Sequence, residues 1–264
     1  MIKAAVLGSP IAHSLSPLLH RRAYEILGLP ASYEAILCDE SDFPSFIEKQ
    51  EEAGWTGFSL TMPLKEIAID YLTQVEPISK RIDSINTMVK DGNGWFGVST
   101  DRLAILNLLK SHTFSKVAII GGGGTARAAL GALDGMTGEI DILLRTSNRA
   151  QKLSACVTTS ALNFFDMAHS VADYDLVIAT VPAGASDSLA IKGATVTGVL
   201  LEALYRPWPT KLAASWQGCG GALISGLDLL VEQALFQIEL FSKSKFDFSE
   251  MRSELLLAGL EALA

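Results

Sequence analysis

Cysteine is scarce in this chain of 264 residues: there are three, an odd number with no CxxC spacing. Neither a disulfide framework nor a metal site follows from that count, and Cys38, Cys156 and Cys219 read as buried apolar residues of a protein in a reducing compartment. Charged residues are also few, 19% against 49% hydrophobic, which excludes intrinsic disorder because disorder needs the opposite balance. Positive charge is in deficit: Lys+Arg 21 less Asp+Glu 29 gives −8, with a pI near 5.0. A nucleic-acid binder needs a basic face, so the partners expected are small molecules and not nucleic acid. Long hydrophobic runs are missing too. Mean hydropathy is +0.31, yet no apolar stretch reaches the roughly 18 residues of a spanning helix. The longest, Val117–Gly124 and Leu176–Ala185, are strand-length and bounded by Gly or Pro. The first residues, MIKAAVLGSPIAHSLSP, hold an apolar run of about five, below the roughly 7–15 of a secretory signal. A cytoplasmic protein without membrane contact is expected.

What is present is a regular alternation of Val/Ile/Leu runs with amphipathic stretches, the mark of α/β architecture. Length alone suggests about two domains. Strands are expected at Lys3–Gly8, Tyr33–Cys38 and Gly57–Thr61, and at Ile85–Lys90 and Trp95–Val98 around the hairpin signal Asp91-Gly92-Asn93-Gly94. Helices are expected at Pro17–Leu27 with Ser16 as its cap, at Ser41–Ala53, from Leu64 to about Val75, and at Asp101–Ser111. The pattern then restarts with strands at Lys116–Ile120, Ile140–Leu144, Leu176–Thr180 and Val196–Leu201. Helices at Thr125–Leu133, Ser147–Cys156, Lys211–Gln217 and Asp228–Phe241 separate or follow them.

The strand at Val117–Ile120 meets Gly121, Gly122, Gly123 and Gly124, then Thr125 and Ala126 at the start of a helix. Gly121, Gly123 and Ala126 match GxGxxG/A, in which the first glycine turns the chain, the second admits a pyrophosphate and the third small residue lets helix and strand pack. A helix start of this kind receives phosphates. Asp141, 20 residues past Gly121, tempts a reading as a ribose-binding acid for NAD, but it opens its strand. The strand ends at Leu144-Arg145-Thr146-Ser147-Asn148-Arg149, and an arginine pair with two hydroxyls suits the 2′-phosphate of NADP.

Further islands lie in the first half. Gly8-Ser9-Pro10-Ile11-Ala12-His13-Ser14-Leu15-Ser16-Pro17 puts hydroxyls ahead of a helix, and Ser59-Leu60-Thr61-Met62-Pro63-Leu64-Lys65 puts a lysine after a strand end. Ser84-Ile85-Asn86-Thr87 offers an amide and Gly97-Val98-Ser99-Thr100-Asp101 a carboxylate. Together they suit a small polyhydroxylated acid. Two late segments, Glu202-Ala203-Leu204-Tyr205-Arg206-Pro207-Trp208-Pro209-Thr210 and Ser225-Gly226-Leu227-Asp228-Leu229-Leu230-Val231-Glu232-Gln233, complete an ordered set. Over nearly its whole length the chain resembles the shikimate dehydrogenase family.

The resemblance implies reversible NADPH-dependent reduction of 3-dehydroshikimate to shikimate, a step toward chorismate and the aromatic amino acids. It implies substrate contacts at Ser14, Ser16, Thr61, Asn86, Tyr205 and Gln233, and a catalytic pair Lys65 and Asp101. NADP would lie on the glycine loop with Arg145, Thr146, Arg149 and Thr180, and Gly226 would sit near the nicotinamide. An N-terminal open α/β substrate domain is expected over 1–103, closed by helices from 226–264, with a Rossmann-like NADP domain over 104–225 and the active site in the interdomain cleft. The assembly would be a monomer or homodimer. A quinate-using relative with NAD, or a metabolite sensor without catalysis, are the alternatives. The family commonly has Asn where Ser59, Ser99 and Leu144 stand here, and Asn-Ala-Thr where Ile178-Ala179-Thr180 stands.

Overall fold

Short β-branched runs set between amphipathic stretches form strands that alternate with helices. The computed structural model describes residues 1–50, 54–92 and 94–264. β1 Ile2–Gly8 leads through α1 Ser16–Ile26 into β2 Ala31–Leu37, and α2 Phe43–Gln50 returns the chain to β3 Gly57–Leu60. β4 Gln74–Val75, α3 Pro77–Ile82, β5 Thr87–Asp91, β6 Gly94–Val98 and α4 Thr100–Leu109 follow. The next stretch runs β7 Val117–Ile120, α5 Gly124–Leu133, β8 Glu139–Leu143, α6 Ala150–Ser154, β9 Ala161–Phe165 and β10 Leu176–Ala179. β11 Val199–Glu202, α7 Lys211–Gly218, β12 Ala222–Ile224, α8 Gly226–Ser242 and α9 Phe248–Leu263 complete the chain. It divides into two compact units, Met1–Ala104 with Leu230–Ala264, and Ile105–Leu229.

The first unit holds a six-stranded sheet in the order β2-β1-β3-β5-β6-β4. β1 runs parallel to β2 and β3, whereas β5 is antiparallel to both β3 and β6. Leu7, Phe43, Phe58, Leu60, Leu64, Met88 and Trp95 form a buried core on one face. The second unit's sheet has the order β12-β11-β10-β7-β8-β9, parallel throughout. Counted from its own first strand this is the doubly wound order 3-2-1-4-5-6. β7 and β10 are buried on both faces, which is why they read as unbroken apolar runs. The strand order reverses between β1 and β3 in the first sheet and between β7 and β10 in the second, and such sheets bind ligands at the carboxyl ends of those strands. Among the described residues no helix is long and apolar enough to cross a membrane. Cys38 and Cys156 are buried and Cys219 half-buried.

Several elements differ from the sequence expectations. The helix expected from Leu64 to Val75 is a series of turns, a 3-10 turn at Ala68–Tyr71 and the two residues of β4. Here the edge of β6 competes with the helix and wins. Thr73 donates its amide to Trp95 O (3.0 Å), Glu76 donates to Gly97 O (3.0 Å), and Leu72 and Thr73 pack where Gly97 and Gly94 carry no side chain. The helix expected over Ser147–Cys156 is a 3-10 turn plus the five residues of α6. Beyond it the Asp134 carboxylate takes the amides of Thr158, Thr159 and Ser160, fixing them as a loop. α1 is not capped by Ser16, which lies within the helix; Leu15 is the cap residue, with no side-chain bond. α3, β9 and β12 are additional to the expected elements. Ala53 and Asn93, placed in a helix and a hairpin turn by sequence, lie outside the described residues.

Candidate active site

The first unit's switch point is tied together by backbone. Thr61 donates its amide to Leu7 O (2.9 Å) and Ser9 donates to Met62 O (2.9 Å), so the loops after β1 and β3 run side by side. Gly8 is required there, because a Cβ would strike the Thr61 methyl and come within 2.9 Å of Met62 O. The β1 loop carries Ser14 and Ser16, whose local link is Ser16 N–H to Ser14 Oγ at 3.3 Å. The β3 loop carries Thr61 and Lys65. Lys65 is anchored by its own carbonyl, which accepts the Ile85 amide at 2.9 Å, and Leu60 donates to Asn86 O at 2.8 Å.

These ties bring Lys65 to Asp101, in the first turn of α4. Lys65 Nζ donates to Asp101 Oδ2 at 2.5 Å, and the two side chains are 17% and 8% exposed, enough to be reached by a ligand yet largely shielded from screening by bulk water. Asn86 braces the pair from behind. Its Nδ2 donates to Asp101 Oδ1 (2.9 Å) and reaches Thr100 Oγ1 (2.9 Å) and Gln233 Oε1 (3.3 Å). Its Oδ1 accepts the amides of Thr100 (2.6 Å) and Asp101 (3.3 Å), so a side chain from outside the helix serves the start of α4. Lys65, Asp101, Asn86 and Gln233 thus form one cluster. Chemically it is an ammonium donor on a carboxylate whose second oxygen is held by an amide, an arrangement able to grip hydroxyls and pass a proton.

The second unit's switch point is the glycine run. Gly121 has φ +113°, and a Cβ there would come within 2.6 Å of Thr180 Oγ1 and 3.0 Å of Val181 Cγ1. Thr180 in turn donates its hydroxyl to Ile120 O at 2.9 Å, which locks the end of β10 to the end of β7. Gly123 is the cap residue of α5, and a Cβ on it would meet nothing nearer than Arg149 Nη1 at 3.8 Å. Backbone is therefore open to a bulky anion at the positive end of a helix. Arg149 folds over this turn, donating Nη1 to Gly122 O at 3.1 Å while its stem packs on Gly122. Arg145, Thr146 and Arg149 are all exposed beyond the end of β8, with Thr146 bonded to Asn148 Oδ1 at 2.8 Å. Asp141 is engaged elsewhere: it accepts from Tyr174 OH (2.5 Å) and Asn163 Nδ2 (2.9 Å). An open pyrophosphate turn with two exposed guanidiniums beside it fits NADP.

The family described as the shikimate dehydrogenase substrate binding domain matches residues 6–88. The shikimate dehydrogenase (NADP(+)) of an Exiguobacterium species is 31% identical over 261 residues, 97% of this chain and 98% of that protein. The chain belongs to the shikimate dehydrogenase family. Its fold superposes on Mycobacterium tuberculosis shikimate dehydrogenase with a TM-score of 0.88 at 35% identity, over 97% of this chain and 99% of that one. Against the Thermus thermophilus shikimate 5-dehydrogenase in complex with NADP(H) and shikimate the TM-score is 0.84 at 28% identity, covering 98% and 100%.

As a shikimate dehydrogenase family member, the chain carries Tyr205 and Gly226 in its second unit, with the glycine loop, while Ser14, Ser16, Thr61, Lys65, Asn86, Asp101 and Gln233 lie in the first. The Tyr205 loop is clasped by Glu202, which is fully buried and accepts Leu204 N–H (3.4 Å) and Thr210 Oγ1–H (3.0 Å). Burial pushes the Glu202 carboxyl up, against the pull of those two bonds. Gly226 packs so closely that a Cβ would overlap Leu204 O and Ala203 O. Sequence reasoning missed a second layer behind Asn86. Gln237, 1% exposed, bonds Ser59, His20, Thr87 and Asn86 O. The available signal was its position one helical turn after Gln233, on the same face of α8.

Proposed function

We propose that this chain catalyses the reversible NADPH-dependent reduction of 3-dehydroshikimate to shikimate. The observation that carries this reading is the Lys65–Asp101 pair, braced by Asn86 at the carboxyl end of an α/β sheet, in a chain whose second sheet presents a glycine turn and exposed arginines for NADP. In this reading the catalytic pair and most substrate contacts belong to the first unit and the cofactor contacts to the second.

Bound NADPH supplies the hydride. The Lys65 ammonium lies at the carbonyl oxygen of the substrate, stabilises the charge that develops there and delivers the proton. Asp101 fixes Lys65 through Oδ2 and accepts a substrate hydroxyl, while Asn86 holds Oδ1 and so limits the rotation of the carboxylate. Ser14, Ser16, Thr61, Asn86 and Gln233 of the first unit, and Tyr205 of the second, are assigned as substrate contacts. Gly121 to Ala126 would cradle the pyrophosphate, and Arg145, Thr146 and Arg149 would take the 2′-phosphate. Thr180 and Gly226 would lie on the nicotinamide side.

Initial rates with shikimate and with quinate, each with NADP and with NAD, test the assignment. Shikimate with NADP should give the highest kcat/KM. A preference for quinate with NAD would move the chain to the other dehydrogenase activity. Binding of shikimate and NADP without turnover would make it a sensor.

A further inference from the structure

The substrate-binding groups of the first unit come from three separate elements. Ser14 and Ser16 stand at the head of α1, Thr61 and Lys65 follow β3, and Asn86 precedes β5 and holds Asp101. Each element needs a fixed distance from the others, because a misplacement of about 1 Å at a reacting group costs on the order of 100-fold in rate. One buried side chain touches all three. The Gln237 amide on α8 donates Nε2–H to Asn86 O (3.3 Å) and to Thr87 Oγ1 (2.9 Å). Its Oε1 accepts from Ser59 of β3 (2.8 Å) and lies 3.2 Å from His20 Nε2 of α1.

The orientation is determined by chemistry. Asn86 O only accepts, so the Gln237 nitrogen faces it and the oxygen faces Ser59 and His20. His20 Nε2 must then carry the proton, leaving Nδ1 to accept from Tyr24 OH at 3.3 Å. Burial holds His20 neutral, with a pKa lowered to about 3 against the opposing pull of Gln237. Ser59 spends its hydrogen on Gln237, so Tyr33 donates to Ser59 Oγ (2.7 Å), and Tyr33 also stacks on His20 with ring centroids 3.9 Å apart. Thr87 Oγ1 continues to Thr100 Oγ1 (2.9 Å), at the start of the helix that carries Asp101. Every polar hydrogen and lone pair that Gln237 offers is matched by residues that are 0–4% exposed, so no water can substitute for it.

We infer that Gln237 is a positioning residue for the reaction proposed above, holding α1, β3 and the Asn86–Thr87 segment in one register so that Asn86 meets Asp101. The inference rests on that proposed activity only for its kinetic readout. Gln237→Leu removes all four bonds. It should lower kcat/KM for shikimate by about 10- to 100-fold while the Kd for NADP stays within about twofold, and it should move the Asn86 side-chain amide resonance. Leu255→Ala opens a cavity in α9 of the same unit, where Leu255 is fully buried. It serves as the stability control, lowering Tm without moving kcat/KM or the Asn86 resonance. Wild-type kinetics and an unmoved Asn86 resonance in folded Gln237→Leu would overturn the inference, and so would equal losses in Leu255→Ala. If Gln237→Leu does not fold, Ser59→Ala, which deletes a single bond to Gln237, should show the same two changes at several-fold size; their absence overturns the inference. Because the Asn86 resonance is read without turnover, a chain inactive on shikimate would refute the proposed activity and leave the positioning test intact.

Discussion

The arginines beyond β8 make the sharpest quantitative test, because NAD and NADP differ only in the phosphate they are assigned to hold. A hydrogen bond to a charged group is worth about 1.5–3 kcal/mol, and exposed, salt-screened pairs fall at or below the low end. Arg145 is exposed beyond the end of β8. Arg145→Ala should therefore raise the KM for NADP about tenfold, since about 1.4 kcal/mol is a factor of ten. The KM for NAD should stay within about twofold. Arg149→Ala is different in kind. Its Nη1 holds Gly122 O at 3.1 Å and its stem covers Gly122, so losing it disturbs the turn that meets the pyrophosphate of either cofactor. NADP should weaken by more than tenfold and NAD by a few-fold. The assay is a matrix of initial rates for wild type and both variants with each cofactor at two ionic strengths. Raising salt from 0.01 to 0.1 M shortens the screening length from about 30 to 10 Å, so wild type should lose more NADP affinity than Arg145→Ala does. Equal losses with NAD and NADP in Arg145→Ala, or no loss with either, would refute the 2′-phosphate assignment.

Lys65→Ala should lower kcat by about 100- to 10,000-fold while the KM for shikimate changes little; turnover near wild type would remove Lys65 from the proton step. Gly121→Ala should abolish NADP binding by calorimetry and lower Tm, because its φ of +113° and the 2.6 Å approach to Thr180 Oγ1 leave a methyl nowhere to go; retained affinity would contradict the close approach. His20 predicts an acid sensitivity. Its folded pKa is depressed to about 3 from 6.5, so below pH 6.5 the unfolded chain takes up a proton that the folded one refuses, and stability falls until about pH 3. Between pH 7 and 5 this contributes about 2 kcal/mol at about 1.4 kcal/mol per pH unit. Urea unfolding of His20→Gln should show a shallower slope in that window, and an unchanged slope would mean His20 titrates normally. Asp134, held below the usual carboxylate range by the Thr158–Ser160 bonds despite its burial, acts at lower pH and does not blur the comparison.

The glycine turn and the strands of the second unit were legible because each signal is local. A buried parallel strand is an apolar run, and the residue after it must turn tightly. The edge strands β9 and β12 were not, since their outward positions carry no apolar alternation to detect. The Leu64–Val75 segment misled for a related reason. Its apolar spacing suits a helix, but the open faces of Gly94 and Gly97, some twenty residues on, offer Leu72 and Thr73 a better fit. Among site residues, Lys65 and Asp101 are legible as types at strand ends, but that Asn86 joins them is a fact of packing. Asn86 reaches α4 across a sheet register that no spacing encodes.

Ser59, Ser99, Leu144 and Ile178 stand where the family resemblance implies Asn, and each has its own local setting. Ser59 is shorter than Asn, yet its hydroxyl is fully used between Tyr33 and Gln237, and it lies 4% exposed behind the site. Ser99 accepts the Arg102 amide at 3.4 Å and gives its own amide to Ser79 Oγ at 2.8 Å, so it serves the start of α4 from a fully buried position. Leu144 is 9% exposed and packs toward Gly122, replacing a polar contact with an apolar floor beside the turn. Ile178 is fully buried inside β10. Ser59 and Ser99 are thus satisfied by neighbouring polar groups and Ile178 by the core of its own unit. Leu144 borders the cofactor turn, so the effect of that departure should fall on affinity for NADP.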